Sequence, residues 1–146
     1  MRMKKPFLQT LLLATALYAE PVNFNNLEGD WHLRVMDGYD VRKVRAILDF
    51  QPRKMRLEGF DACNRISGKL TLLKEGTYRS RLATTRMACR GKQQSFVSRR
   101  LHETIEEGFT IHKEHRYGID GLTIQSKSHT LFFKKMGKAS LLHWLP

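Results

Sequence analysis

Apolar and polar positions alternate along most of the chain, and the alternation predicts strands. From Trp31 the order Trp31, His32, Leu33, Arg34, Val35 places Trp31, Leu33 and Val35 on one strand face, with a turn at Asp37-Gly38. Val44, Ala46, Leu48 and Phe50 alternate in the same way until Pro52 ends the run. Met55 and Leu57 predict a short third strand, and 59–68 reads as irregular. Leu70 and Leu72 begin a fourth strand, which turns at Glu75-Gly76 into a fifth over 78–82. The period then changes. Phe96, Val97, Arg100, Leu101, Thr104 and Ile105 recur every three to four residues, so 92–107 reads as one amphipathic helix ended by Gly108. Further strands are expected at 109–112, 117–124 and 130–133, and the tail 141–146 is apolar enough to pack. About seven to eight short strands around one helix predict an α+β domain built on a strongly curved antiparallel sheet or partial barrel.

The first 19 residues depart from this pattern. Arg2, Lys4 and Lys5 precede an apolar run over 7–17, and small residues follow at Ala14, Ala16 and Ala19, ahead of Glu20-Pro21. That is the layout of a secretory signal peptide. The run is about 11 residues long, against roughly 20 for a bilayer span, so no transmembrane segment is expected after cleavage. Cleavage after Ala19 makes 1–19 the signal peptide and 20–146 a single mature domain, periplasmic or secreted. No cysteine ends the apolar run, which argues against a lipid anchor.

Charge narrows the partners. The full chain of 146 residues holds 26 Lys and Arg against 14 Asp and Glu, a net charge of +12. Losing Arg2, Lys4 and Lys5 with the leader lowers the net charge to +9. Such a surface favours anionic partners: acidic lipid, polysaccharide or nucleic acid. The cations are scattered, and the densest group is Arg42, Lys43, Arg45, Arg53, Lys54 and Arg56, against the single acid Asp49. On a strand, Lys43 and Arg45 would face away from Val44 and Ala46, making these six the candidate polyanion contacts. The bland alternative is an ordinary solvated surface.

Cys63 and Cys89 are the chain's two cysteines. An even pair in an oxidising compartment makes one intramolecular disulfide the default, with two free thiols as the alternative. They cannot build a closed zinc site alone, and there is no Cys-x-x-Cys, so neither metal nor cofactor is expected. His112-Lys113-Glu114-His115 is expected around a hairpin tip, with its side chains fanning outward. Glu103, Glu106 and Glu107 read as a solvated helix face beside Arg99 and Arg100. There is no Gly-x-Ser-x-Gly elbow, His-Glu-x-x-His, phosphate-binding loop or dinucleotide fingerprint, so no enzyme is expected.

Three stretches carry a family resemblance. Gly59-Phe60-Asp61-Ala62-Cys63-Asn64-Arg65-Ile66-Ser67-Gly68 is followed by Leu82-Ala83-Thr84-Thr85-Arg86-Met87-Ala88-Cys89 and by a helix opening near Gln93-Gln94-Ser95-Phe96. Together they resemble the META domain of HslJ-like proteins, and Gly29-Asp30-Trp31-His32-Leu33 resembles that family's opening strand. Two positions depart from it: the family usually has Gly where this chain has Ala62, and an aromatic residue where it has Leu70. The resemblance implies a small envelope or secreted domain linked with stress tolerance, and in some members with antibiotic resistance or virulence. It brings no established catalytic activity. The motif residues Asn64, Arg65, Ser67, Gly68, Thr84, Thr85, Arg86 and Met87 then have two readings. In one they build and lock one end of the barrel, with Arg86 paired to an acid such as Asp61. In the other, Asn64, Arg65, Thr85 and Arg86 line a polar ligand pocket. The expected protein is a monomeric envelope domain, with a cationic binding module as the alternative.

Overall fold

The computed structural model describes residue 3 and residues 22–74 and 76–137. The rest of the leader, Glu75 of the expected turn and the tail 141–146 lie outside the described residues. The strands are β1 (Gly29–Met36), β2 (Tyr39–Asp40), β3 (Ile47–Gln51), β4 (Arg56–Phe60), β5 (Arg65–Lys74), β6 (Thr77–Ser80), β7 (Ala83–Thr84), β8 (Phe109–Arg116), β9 (Ile119–Gln125) and β10 (Thr130–Lys135). The helix α1 (Lys92–Glu107) separates β7 from β8 and matches the stretch its period predicts.

Every pairing is antiparallel. The strands run in the order β1-β3-β4-β5-β6-β8-β9-β10, and β10 pairs back onto β1, closing an eight-stranded ring. The short β2 lies against β1, and β7 against β5. Closure satisfies the backbone groups that an open sheet would leave at its edges. The narrowest seam is β6–β8, held by Thr77 opposite Thr110 and Tyr78 opposite Phe109.

Alternate residues fill the interior. Leu33, Leu48, Phe50, Leu57, Leu70, Phe109, Leu122, Ile124, Leu131 and Phe133 belong to one buried cluster, and α1 adds Val97, Leu101 and Ile105 to it. The helix lies at the end of the barrel that holds the β1–β2 turn and the β4–β5 loop, to which its side chains bond. Beyond the far end of β3, Phe24 stacks on Tyr78 at 4.7 Å and meets Phe50 edge-on at 6.2 Å. There Trp31 Nε1–H donates to Leu27 O over 3.0 Å.

Four expectations change. The alternation from Trp31 slips after Leu33, because the register against β10 shifts between Leu33 and Val35. The extra residue, Arg34, is a bulge, and a bulge reverses the facing of the strand residues beyond it. Met36 is therefore fully buried, and Val35 is only half-buried. The run from Val44 to Phe50 is not one strand: Arg42–Val44 is a turn of 3-10 helix and Arg45 is left-handed at φ 55° before β3 begins. The irregular stretch is confined to 61–64, since β4 includes Gly59 and Phe60 and β5 starts at Arg65. Gly59 serves close strand approach, for a Cβ there would lie 2.1 Å from Ile47 O. Finally, 112–115 lie inside β8, and the hairpin tip is Tyr117-Gly118.

Candidate functional site

The two family motifs meet where the 61–64 loop faces the segment after β7. Asp61 anchors the loop. Its Oδ1 accepts from Cys63 N at 2.8 Å and Asn64 N at 2.6 Å, while its Oδ2 accepts from Ser98 Oγ at 2.9 Å and His102 Nε2 at 2.7 Å. Burial by itself would raise the Asp61 pKa. The donors from His102, Asn64, Cys63 and Ser98 outweigh it and hold the carboxyl below its ordinary range. Arg86 is not its partner: the helix fills that role, and Arg86 is exposed. Nor do Asp61, Ser98 and His102 form a nucleophilic triad. Serine and histidine both bond the same carboxylate oxygen, whereas activation needs the serine to donate to the histidine.

Asn64 and Thr85 join the motifs. Thr85 Oγ1 donates to Asn64 Oδ1 at 3.1 Å and accepts from Arg65 N at 3.1 Å, and Thr85 N donates to Arg65 O at 3.1 Å. Met87 N also donates to Asn64 Oδ1. A Cys63–Cys89 disulfide closes the junction, with a Cα–Cα distance of 4.8 Å. Thr84 pairs with Ile66, and Ala83 with Ser67, in the β5–β7 ladder. The side-chain oxygens of Asn64 and Thr85 are thus committed to each other and to the amides of Arg65 and Met87.

Of the residues expected to line a pocket, Arg65 and Thr85 do so. They border a shallow groove of about 430 Å³ together with Glu58, Ser67 and Thr84. Asn64 and Arg86 are outside that lining, and Met87 is part of a neighbouring depression with Cys63 and Arg90.

A second polar cluster ties the helix to two turns. Asp37 Oδ2 accepts from Arg100 Nη1 at 2.6 Å and His129 Nδ1 at 2.7 Å, and its Oδ1 accepts from Thr130 N at 2.8 Å. His129 Nε2 reaches Glu103 Oε2 at 2.6 Å. The His129 ring thus bridges the Asp37 and Glu103 carboxyl groups, one at each ring nitrogen. Arg100 also lies 4.0 Å from the centre of the Phe96 ring. For Arg100 and Glu103 the expected pairing along the helix is replaced by these tertiary bonds, whereas Arg99, Glu106 and Glu107 stay on an exposed face. The sequence marks Asp37 only as a turn residue, and nothing in it pairs Asp37 with a position 92 residues away.

The six candidate polyanion contacts do not share one strand face. Arg42, Lys43 and Arg45 precede β3, whereas Arg53 and Lys54 form a 3-10 turn after it and Arg56 opens β4. Five residues of strand separate the groups by roughly 17 Å. Arg42 is paired with Asp40 at 2.7 Å, and Arg56 stands 4.0 Å from Glu58.

Among the described residues no group of three or more His, Cys, Asp or Glu is arranged to hold a metal ion, and no helix is long and apolar enough to cross a membrane. No curated protein matches the chain by sequence. Two proteins solved by NMR share the fold. One, from Burkholderia xenovorans, is 21% identical with a TM-score of 0.61, covering 84% of this chain and 94% of its own. The other is 26% identical with a TM-score of 0.64, covering 83% of this chain and 98% of its own. The META domain pattern matches residues 24–138, which include the opening strand, both halves of the disulfide-linked junction and the helix. The chain belongs to the META domain family.

Proposed function

We propose that this protein is an exported, non-catalytic domain, mature from Glu20 onward, that acts in stress tolerance or maintenance of the cell envelope. The observation that carries this reading is the motif junction. Its Asn64 and Thr85 oxygens bond backbone and each other, its carboxylate is saturated by loop amides and the helix, and its cysteines are oxidised, a state that persists outside the reducing cytosol. A motif spent on locking one end of the barrel suits a structural rather than a catalytic role. Cell fractionation tests the reading. The protein is expected in the periplasm or medium with Glu20 at its N-terminus, and deletion of its gene is expected to sensitise cells to membrane-damaging detergent. A cytoplasmic protein that retains Met1 overturns it.

A second reading, a binding module for envelope polyanions or nucleic acid, draws support from the exposed cations. Lys43, Arg45, Arg53 and Lys54 are exposed and, among the described residues, enter no ion pair. Binding to acidic lipid vesicles should then fall steeply with salt, since each neutralised charge releases a counterion. Lys43→Glu, Arg45→Glu and Lys54→Glu combined should abolish that binding. Equal binding by this triple variant and its parent removes the second reading.

A further inference from the structure

The barrel carries a second apolar cluster, on its outer face and apart from the motif junction. On β10, Leu131 and Phe133 point into the core, so Phe132 turns outward; even so, it is only 1% exposed. Its ring lies over Gly121 of β9, where a Cβ would sit 2.4 Å from the ring. Tyr117 packs edge-on against Phe132, with centroids 5.4 Å apart. Val35, turned outward by the bulge at Arg34, joins them. With Gly38, Asp40, Arg42 and Ile119, these side chains and Arg34 enclose a cleft of about 350 Å³, a size that suits a small ligand.

Arg34 gives the cleft its chemistry. Its Nε is buried and, among the described residues, has no hydrogen-bond partner. Leaving a buried donor unmade is costly, and among the described residues no ion pair holds the Arg34 guanidinium. The carboxylate in the lining does not serve. Asp40 is engaged by Arg42, through Nε at 3.0 Å and Nη2 at 2.7 Å. Among the described residues the lining thus carries one uncompensated positive charge, on Arg34. Its field reaches beyond the cleft: the pKa of His32 is lowered, first by burial and then by Arg34 and Arg45, against the bond to Arg42 O, which raises it.

We propose that this cleft binds a small aromatic carboxylate, with the acid on the Arg34 guanidinium and the ring against the exposed Tyr117, which Phe132 backs. The planar N–H fork of arginine matches two carboxylate oxygens, and one free charge matches a monoanion. Aromatic walls favour a flat ring, which they meet by stacking or edge contact. None of these residues belongs to the two family motifs, so the site is independent of the junction and of the function proposed above.

Titrating 1-naphthoate into the isotope-labelled protein and following its amide signals by NMR tests the site. Saturable shifts are expected at Gly38, Gly118 and Ile119. Arg34→Met should weaken binding at least tenfold, and Arg34→Lys severalfold, because an ammonium cannot fork. Acetate and the uncharged 1-naphthalenemethanol should each bind at least tenfold more weakly than naphthoate. Tyr117→Asn gives a second variant for the case in which Arg34→Met does not fold. Tyr117 is exposed with φ 54°, a conformation asparagine tolerates, so this change removes the ring and keeps the turn. It too should weaken binding severalfold. The proposal is overturned if naphthoate gives no saturable shift, or if the shifts fall at Arg65 and Thr85. Undiminished binding by folded Arg34→Met, or by Tyr117→Asn, overturns it as well, as does acetate binding as tightly as naphthoate.

Discussion

The Thr85 hydroxyl donates to the side-chain carbonyl of Asn64 over 3.1 Å, joining positions 21 residues apart. Thr85 also accepts from the Arg65 amide and donates its own N–H to Arg65 O. One threonine therefore extends the β5–β7 ladder past the two residues of β7 and holds the outgoing chain in place for the disulfide.

This bond should be measurable as a coupling. Asn64→Ala removes the acceptor of both Thr85 Oγ1 and Met87 N, and should cost about 1–2 kcal/mol of unfolding free energy. Thr85→Val removes only the hydroxyl and should cost about 1 kcal/mol. Because the two changes delete one shared bond, urea denaturation of the double variant should show less than the sum of the single losses.

The disulfide links residues separated by 26 positions. Chain-entropy reasoning puts its contribution at about 3–4 kcal/mol. A Cys63→Ser, Cys89→Ser double variant should therefore melt well below the parent. Non-reducing peptide mapping of the native protein should recover the 63 and 89 segments as one species.

Ala62 occupies φ 82°, in the left-handed region. That conformation costs an L-residue about 1–2 kcal/mol, more than the roughly 0.4–1 kcal/mol that glycine loses through extra freedom in the unfolded chain. Ala62 also belongs to the buried core, so Ala62→Gly, which restores the residue usual in the family, gives up a buried methyl and should stabilise the protein by about half a kcal/mol at most in chemical denaturation.

Acid should weaken the fold through Asp61 and Asp37. Burial alone would raise both pKa values. The donors from His102 and nearby amides at Asp61, and from Thr130, Arg100 and His129 at Asp37, outweigh it and place both below the ordinary 3.8. A depressed folded pKa contributes stability that is present above the unfolded value and lost as pH falls through the folded one. Urea midpoints should thus hold steady from neutrality down to about pH 5 and drop below about pH 4. Asp61→Asn should lower the midpoint at pH 7 and flatten the acid limb.

Local physics made much of the architecture legible. The helix was readable to the residue, because 3.6-residue periodicity and Gly108 are properties of contiguous chain. The α+β class and most strands came from alternation in the same way, and the disulfide followed from an even cysteine pair in a compartment expected to be oxidising. The features that failed to read through were set by partners distant in sequence. The bulge at Arg34 exists because β1 must stay in register with β10, about a hundred residues later. Arg100 and Glu103 looked like solvent-facing helix charges, since nothing local announces that Asp37 and His129 will stand opposite them. The basic run 42–56 was equally misleading, because two 3-10 turns divide it between opposite ends of β3. Periodicity in the sequence determines which residues form an element and which face is apolar. Register, barrel closure and the pairing of buried charges depend on where distant strands meet, and only the tertiary structure decided those.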